Sequence, residues 1–380
     1  MTLVVEVLHN SLRHHKSEKT TPSGWHEVLA RELAKRSPDL DIECWGPDRF
    51  ASVGQTWEDD LGVVHRTFPS LHLRYGVELS VKMLMYLRKA LREQPPSLVH
   101  LHGVYNLNTY VLSSLYGSRL PMVAQFHDPA DEGGWFLGHG RSGSREIALR
   151  SVKRFIAASE AMKRTLSPRV RSRTEVLPFG VDLRVFQPLD RTLARRVLHL
   201  EQDLIYGMFV GRLVPSKGVQ HLLESVPLIL HECPNFHLII IGEGPMGDGL
   251  LASASSLGIR EHLTFEGGVE HSVLPTYYSA ADLLIHPSHR EVGTLVVLES
   301  LACGTPVVAT PVGFIPEVSR KVGGISLISS SSPRPIAEAV TETSRNPSQL
   351  SKSIRRSGIE EYGWDSISKR VLALYKEICS

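Results

Sequence analysis

Residues 204–231 read LIYGMFVGRLVPSKGVQHLLESVPLILH, an apolar run joined to an amphipathic segment by a short loop. The run 204–210 is typical of a buried strand, and apolar residues recur at helical spacing over 218–231. Strand and helix segments of this kind alternate along the chain, as they do in parallel sheets that carry helices on both faces. The sequence therefore predicts an α/β fold.

Two series of such segments are present, one in each half of the chain. In the first half, strands are predicted at 3–8, 41–45, 98–101, 122–126, 154–158 and 173–177, with helices at 25–34 and 81–92. In the second half, strands are predicted at 204–210, 236–241, 263–265, 283–286, 306–309 and 325–327, with helices at 218–231, 249–256, 272–279, 295–302 and 335–343. Each series is typical of one doubly wound parallel sheet with helices on both faces.

The length of 380 residues also favours two domains, because single cores of that size are uncommon. We expect an N-terminal domain at residues 1–190 and a C-terminal domain at 191–363, with a central cleft between them. The amphipathic segment 364–380 is predicted to form a helix that packs back on the first domain.

Composition excludes several classes of protein. Hydrophobic residues make up 42% and charged residues 22%, values typical of globular proteins, and the net charge of +2 does not favour a nucleic-acid partner. The cysteines are too far apart to suggest zinc ligands, so we expect reduced thiols. There is no basic leader and no apolar run of ~18 residues, which predicts a cytoplasmic protein.

Two cations stand in the loop that follows the strand 204–210. Arg212 and Lys217 are flanked by Gly211 and Gly218, so the backbone could approach a ligand closely while the cations bind a diphosphate. A solvated loop with exposed cations is the alternative. The order G-x-x-x-x-G-K-[ST] of a P-loop is absent.

Two carboxylates, Glu291 and Glu299, are separated by seven residues around a predicted helix start at Thr294. Backbone N–H groups at a helix start bind anions, and ionised carboxylates accept hydrogen bonds from sugar or ribose hydroxyls. In the alternative interpretation, Glu291 stabilises the helix dipole and Glu299 pairs with a surface cation. The pattern favours a site for a phosphorylated, hydroxyl-rich ligand.

Residues 242–247, GEGPMG, match the dinucleotide pattern G-x-G-x-x-G, and Glu266 lies where a ribose-binding acid is expected. This keeps an NAD-dependent oxidoreductase as an alternative function. However, Pro245 removes an N–H from the turn, and the motif opens the second strand–helix unit of its domain instead of the first.

The ordered motifs resemble those of family GT4, retaining glycosyltransferases of the GT-B fold. In the second half they are Gly211-Arg212 with Lys217-Gly218, 242–245, 265–269, 277–284, the Glu291/Glu299 pair, 302–309 and 313–317. In the first half they are 99–102, 126–128, 158–160 and 177–182. The resemblance covers most of the chain and implies two Rossmann-like domains that face a cleft.

The resemblance also implies roles for individual residues. Arg212 and Lys217 would bind the donor diphosphate, Glu299 the ribose and Glu291 the transferred sugar, while His127 would face the reacting centre. The donor contacts that it implies are Ser23, Gly24, Gly211, Arg212, Lys217, Gly244, Val269, Glu291, Gly293, Thr294, Leu295 and Glu299. The implied catalytic residues are His127, Glu291, Arg212 and Lys217, with retention of configuration and without a metal or other cofactor.

This chain departs from the family pattern around the donor sugar. It has Val292-Gly293-Thr294 where the family usually has Gly-Phe-Gly, Phe314 where a second glycine is common, and Ser23 in place of a glycine. The nature of the sugar therefore stays open. A purely structural histidine is the alternative for His127.

Three further segments carry weaker signals. The triplet Asp39-Leu40-Asp41 has the form of a metal-binding D-x-D motif, but its position beside Pro38 favours a solvated turn. The basic amphipathic segment 71–92 could lie on the inner face of an anionic membrane or could cover the N-terminal sheet. The glycine-rich loop 133–145 could be an acceptor-side lid or an ordinary loop.

The predicted function is transfer of a sugar from a UDP-, GDP- or ADP-linked donor to a carbohydrate, lipid-linked or small-molecule acceptor. The alternatives are the oxidoreductase, an NDP-sugar epimerase or phosphorylase of the same fold, and a sugar-nucleotide-binding protein without activity. The sequence leaves the oligomeric state open.

Overall fold

The computed structural model describes residues 2–7, 25–48, 50, 52–72, 78–104, 106–127, 149–291 and 293–380. The chain divides into two compact units. Unit 1 comprises Met1–Pro178 and Trp364–Ser380, and unit 2 comprises Phe179–Gly363.

The boundary between the units lies between Pro178 and Phe179, whereas the sequence placed it at residues 190/191. The difference has a local cause, because residues 179–190 pack with unit 2. Val181 donates its N–H to the carbonyl of Tyr362, and the N–H of Leu189 donates to the Ser279 hydroxyl.

Unit 1 contains an eight-stranded sheet in the order β10-β9-β8-β7-β1-β2-β4-β3. Its strands are β1 (Thr2–Val7), β2 (Leu40–Asp48), β3 (Thr56–Glu58), β4 (Val64–Pro69), β7 (Leu98–His102), β8 (Met122–Gln125), β9 (Arg154–Ala157) and β10 (Thr174–Val176). All neighbours pair in parallel except β3, which is antiparallel to β4. A separate antiparallel pair consists of β5 (Leu71–His72) and β6 (Glu78–Leu79).

The described helices of unit 1 are α1 (Trp25–Arg36), α2 (Val81–Glu93), α3 (Leu107–Tyr116), α4 (Glu160–Thr165), α5 (Pro168–Arg171) and the C-terminal α15 (Trp364–Cys379). Helix α15 packs against α1 inside this unit. Leu29 and Leu33 share a buried cluster with Ile367 and Val371, and the indole ring of Trp364 lies 5.3 Å from that of Trp25.

Unit 2 contains a six-stranded sheet in the order β13-β12-β11-β14-β15-β16, with every described pair parallel. Its strands are β11 (Ile205–Val210), β12 (Phe236–Ile241), β13 (Leu263–Gly267), β14 (Leu283–His286), β15 (Val307–Ala309) and β16 (Ile325–Leu327). Its helices are α6 (Arg191–Val197), α7 (Val219–Glu232), α8 (Gly247–Ser256), α9 (Leu274–Ala280), α10 (Leu295–Ala302), α11 (Ile315–Val322), α12 (Pro333–Arg345), α13 (Pro347–Lys352) and α14 (Arg356–Glu360). Short 3₁₀ turns lie at Pro215–Lys217, Arg260–His262 and His271–Val273.

The two parallel α/β sheets confirm the predicted fold class. The sequence analysis did not predict strands β3 to β6. Strands β3, β5 and β6 have only two or three residues, and β4 mixes polar with apolar residues, so none of the four has the apolar run of a central strand. The D-x-D triplet lies where a turn was expected, with Asp39 exposed in the turn that precedes β2.

Helix α2 turns part of its apolar side inward. Met83 and Leu87 are buried and the helix packs on β4, whereas Val81 and Met85 are exposed beside the cations of the same helix. Residues 73–77 of the segment 71–92 lie outside the described residues, and its membrane contact stays a prediction. None of the described helices combines the length and the apolar character that a membrane-crossing helix needs.

Gly218 lies between the 3₁₀ turn Pro215–Lys217 and α7, and substituting it tests the backbone conformation of this turn. Its φ is +70°, and an added Cβ would lie 2.2 Å from the carbonyl oxygen of Pro287. We expect Gly218→Ala to lower the free energy of unfolding by at least about 2 kcal/mol, since left-handed backbone and a backbone clash both oppose it.

The matched control is Gly249→Ala, because Gly249 lies in α8 and an added Cβ there meets nothing within 4 Å. Alanine in a helix is favoured over glycine by about 0.5–1 kcal/mol, so this variant should be neutral or more stable. Urea unfolding measures both, and equal effects of the two substitutions would contradict the described turn.

Candidate functional site

The strand order of unit 2 reverses between β11 and β14, which are neighbours in the sheet but far apart in sequence. In open parallel sheets, ligands bind at the carboxyl ends of the strands where this reversal occurs. The loop after β11 carries Arg212 and Lys217, and the loop after β14 carries Glu291. The fold therefore brings together residues that are more than seventy positions apart.

Glu291 is the centre of this site. Its Oε1 accepts hydrogen bonds from Lys217 Nζ, from Ser288 Oγ at 2.8 Å and from His286 Nε2 at 3.1 Å. Its side chain is 6% exposed. Burial opposes ionisation of the carboxyl, but His286 and Lys217 outweigh it and lower the pKa of Glu291 from 4.5 to about 2.

This ion pair was not part of the sequence prediction, which assigned Lys217 and Glu291 to different parts of a ligand. Arg212, by contrast, is exposed in the same loop as Lys217. In the structure, Glu291 forms an ion pair with Lys217. An incoming phosphate would compete with that carboxylate for Lys217.

Helix α10 begins at Leu295, and Thr294 occupies the N-cap position as predicted. The threonine side chain, however, makes no capping hydrogen bond, and its buried Oγ1 has no hydrogen-bond partner. Gly293, just before it, is required by packing, because a Cβ there would lie 1.7 Å from the ring of Phe179.

Glu299 lies inside α10 and is 4% exposed. Its Oε2 accepts a hydrogen bond from the hydroxyl of Tyr278 at 3.0 Å, and its Oε1 lies 2.7 Å from His271 Nε2. Burial and the neighbouring Glu299 raise the pKa of Tyr278 well above 10. Glu299 therefore pairs with an exposed basic residue, His271, as the alternative interpretation expected, although the carboxylate itself is buried.

Sequence reasoning missed both partners of Glu299. Tyr278 lies in a segment that the motif analysis had quoted, but a tyrosine in a predicted helix carries no signal of its own. His271 lies in a 3₁₀ turn that begins two residues after Val269, which the resemblance assigned to the base.

The glycine-rich loop 242–247 has a packing role in unit 2. A Cβ on Gly242 would lie 1.9 Å from the Gly211 carbonyl oxygen, and one on Gly244 would lie 2.4 Å from that of Leu213. The N–H of Leu213 also donates to the Glu243 carbonyl at 2.9 Å. These glycines let the loop support the cation-bearing loop 211–218, which accounts for the pattern without a dinucleotide.

Unit 1 contains a second polar group, around His127. Its Nε2 lies 3.1 Å from His102 Nδ1, and His102 Nε2 lies 2.5 Å from Oε2 of Glu6. Glu6 is fully buried, and its Oε1 accepts a hydrogen bond from Tyr375 at 2.6 Å. Burial opposes ionisation of Glu6, but His100 and His102 lower its pKa far below 4.5. The buried carboxylate of Glu6 thus holds the ring of His102, which contacts His127.

Glu6, His100 and His102 are side chains of the kinds that bind metals, and their ligand atoms all lie within 4.8 Å of one another. Within the described parts of the chain, this is the one group of three such side chains. Hydrogen bonds already join these atoms, and all three side chains are buried.

Ser23, Gly24 and the loop 133–145 lie outside the described residues, so their predicted roles stay predictions.

Two family models match the chain in succession. The model "Glycosyltransferase Family 4" matches residues 27–185, and "Glycosyl transferases group 1" matches residues 190–361. The second match contains every predicted donor contact of unit 2.

Among relatives, a D-inositol 3-phosphate glycosyltransferase from Thermomonospora curvata is 30% identical over 384 residues, which are 91% of this chain and 88% of that protein. Another, from Segniliparus rotundus, is 34% identical over 210 residues, which are 53% of this chain and 46% of that protein. The chain thus spans about half the length of several relatives that it matches.

Solved structures share the fold over the whole chain. Sucrose-phosphate synthase from Thermosynechococcus elongatus has a TM-score of 0.77 at 20% identity, covering 100% of this chain and 99% of that one. HepE from Anabaena in complex with UDP has a TM-score of 0.71 at 18% identity, covering 99% of this chain and 100% of that one.

The lowered pKa of Glu291 predicts a pH-dependent contribution to stability. A carboxyl with a depressed pKa in the folded state stabilises the fold above its unfolded pKa, and the contribution is lost as pH falls from about 4.5 to about 2. The shift corresponds to a contribution on the order of 3 kcal/mol. Urea unfolding at pH 5 and pH 2.5 should therefore show a smaller loss for Glu291→Gln than for the wild type.

Glu338→Gln is the control for this comparison, because Glu338 forms an exposed pair with Arg334 and its side chain is 67% exposed. Exposed pairs contribute little to stability. If Glu291→Gln and the wild type lose the same free energy of unfolding between pH 5 and pH 2.5, that result contradicts the described ion pair.

Tyr375→Phe tests the buried group of unit 1. Removing the hydroxyl leaves the buried, ionised Glu6 with one hydrogen bond fewer, and bonds to charged groups contribute about 1.5–3 kcal/mol. We expect thermal or urea unfolding to show a loss of that size. Tyr116→Phe, which removes only a 3.4 Å contact to the Leu84 carbonyl, should cost much less.

Proposed function

Since this chain belongs to glycosyltransferase family 4, we propose that it transfers a sugar from a nucleotide-sugar donor to an acceptor, with the donor held by unit 2. The observation that carries the proposal is the arrangement at the carboxyl ends of β11 and β14. There, two cations, two buried carboxylates and a helix start lie in one unit at the switch in strand order.

Each part of this arrangement suits one part of a nucleotide sugar. Arg212 and Lys217 would bind the diphosphate, together with the free N–H groups at the start of α10. Glu299 would accept hydrogen bonds from the ribose, and Glu291 from the transferred sugar. The ion pair between Lys217 and Glu291 orders both groups, whose side chains are 24% and 6% exposed.

The donor class is supported by the neighbour HepE, whose structures are described as complexes with UDP and with UDP-glucose. The acceptor is open among carbohydrates, lipid-linked sugars and small molecules. The names of the relatives make an inositol phosphate the first acceptor to test. None of the relatives named above is an oxidoreductase or an epimerase.

The proposed chemistry is electrostatic. As the bond between sugar and diphosphate breaks, negative charge grows on the leaving phosphate, and Arg212 and Lys217 stabilise that charge more in the transition state than in the ground state. The two cations supply this charge without a metal ion. His127, held through His102 by Glu6, would hydrogen bond to the sugar, and transfer would proceed with retention of configuration.

Donor turnover is the direct test. The purified protein would be assayed for binding and hydrolysis of UDP-, GDP- and ADP-sugars, and then for transfer to inositol phosphate. We expect Lys217→Ala to lower kcat/KM about 10²-fold or more, because one preorganised charge at the leaving group is lost. Glu291→Ala should also lower it, since the sugar loses an acceptor and Lys217 loses its ordering partner.

Arg334→Ala is the control, because Arg334 is a cation of unit 2 whose side chain is 84% exposed. Its activity should equal that of the wild type. Failure of the wild type to bind or turn over any donor would overturn the proposal, as would a Lys217→Ala variant with unchanged activity.

A further inference from the structure

Two side chains hold Glu299, and they differ in their exposure to solvent. Tyr278, which donates to Oε2, is fully buried and lies in the core of unit 2. His271, which contacts Oε1, has a side chain that is 65% exposed. Since Glu299 itself is only 5% exposed at its side chain, His271 covers the oxygen that a ligand approaching from solvent would reach.

The position of His271 makes this cover movable. The residue opens the 3₁₀ turn His271–Val273, and its ring contacts Phe186 at a centroid distance of 5.0 Å. The ring is exposed, so it can move into solvent, and hydroxyl groups that took its place would keep the buried carboxylate hydrogen-bonded. Tyr278 has no such freedom, because its ring is buried between neighbours.

We propose that His271 is an exchangeable cap on Glu299, which binds the carboxylate in the empty site and yields Oε1 to the ribose diol when a nucleotide binds. The proposal rests on the proposed function, since it assumes a nucleotide in unit 2. It assigns to His271 a role in setting nucleotide affinity, through competition for one oxygen atom.

The exchange has a consequence for pH. The hydrogen bond from His271 to Glu299 raises the pKa of the imidazole, burial opposes this, and the charges of Glu299 and Asp182 add to the rise. The charged groups near the ring are Glu299 on α10, Asp182 in the segment before α6, which is itself paired with Arg184, and Glu270 next to it in sequence. The neutral ring of Phe186 packs against His271, and the Tyr278 hydroxyl binds the other oxygen of Glu299.

The sign follows from proton linkage. When the ribose displaces His271, the pKa of the imidazole falls back towards the ordinary value of ~6.5, and the ring releases a proton. The free protein therefore binds more protons than the complex in this range. Nucleotide affinity should fall as pH falls through the raised pKa of His271, and the part of this fall that comes from His271 should vanish when the imidazole is removed.

Calorimetry at pH 6 and pH 8 tests the exchange. The probes are the diphosphate among UDP, GDP and ADP that binds in the donor assay, and its 2′,3′-dideoxy analogue. Wild-type affinity for the ribonucleotide should be several-fold lower at pH 6. His271→Ala should bind it several-fold more tightly than the wild type at pH 6 and nearly equally at pH 8.

Two variants sharpen the comparison. His271→Gln keeps a neutral donor near Glu299, so it should bind the ribonucleotide without the His271-dependent change between the two pH values. His231→Ala removes an exposed histidine elsewhere in unit 2 and should behave as the wild type. The dideoxy analogue cannot use Glu299, and the wild type and His271→Ala should bind it equally.

NMR supplies a readout that does not depend on the nucleotide. The His271 ring should titrate above ~6.5 in the free protein and return towards that value in Glu299→Gln and on addition of the ribonucleotide. A ring that titrates normally in the free protein, or keeps its raised pKa in the complex, would overturn the exchange.

The remaining outcomes are distinct from failure of the proposed function. Weaker ribonucleotide binding by His271→Ala at both pH values would mean that His271 itself holds the ribose, and affinity equal to that of the wild type would mean that it plays no part. Either result overturns the cap and leaves the donor site intact. Absence of binding by every nucleotide would overturn the donor site, and the cap with it.

Discussion

The hydrogen bonds of the Glu291 carboxylate are the interaction on which the proposed donor site depends. The carboxylate accepts hydrogen bonds from Lys217, His286 and Ser288 on one oxygen, and thereby joins the loop after β11 to the loop after β14. A buried charge requires such partners, because an uncompensated carboxylate would be neutralised or expelled to water. The ion pair therefore fixes the cation that the proposed chemistry needs.

Close backbone contacts make that arrangement feasible. Gly218 lies against the Pro287 carbonyl, and Gly242 and Gly244 lie against the backbone of the cation-bearing loop. A side chain at Gly218 would push apart the loops that carry Lys217 and Glu291, and one at Gly242 or Gly244 would push the loop 242–247 away from the cation-bearing loop. Glycine is required at these positions because the neighbouring backbone leaves no room for a Cβ. The same requirement explains why residues 242–247 match the dinucleotide pattern in a glycosyltransferase.

The two carboxylates of the site differ in how they are held. Glu291 is joined to a lysine and a histidine, whereas Glu299 is held by a buried tyrosine on one side and an exposed histidine on the other. Unit 1 follows the same principle around Glu6, a buried carboxylate that orders His102 and, through it, His127. In each case, a buried charge positions a group that can act on a ligand.

The sequence by itself determined the two α/β sheets, the cation-bearing loop, the Glu291 and Glu299 pair and the start of α10, because apolar periodicity and motif spacing are local properties. It did not reveal strands β3 to β6 of unit 1, which lack an apolar run, or the exact boundary, which depends on Val181 and Leu189 packing with distant residues. Only the tertiary structure decided that Lys217 pairs with Glu291, that His271 caps Glu299 and that Glu6 supports His102. These contacts join side chains from separate elements, and no spacing along the chain encodes which of them will meet.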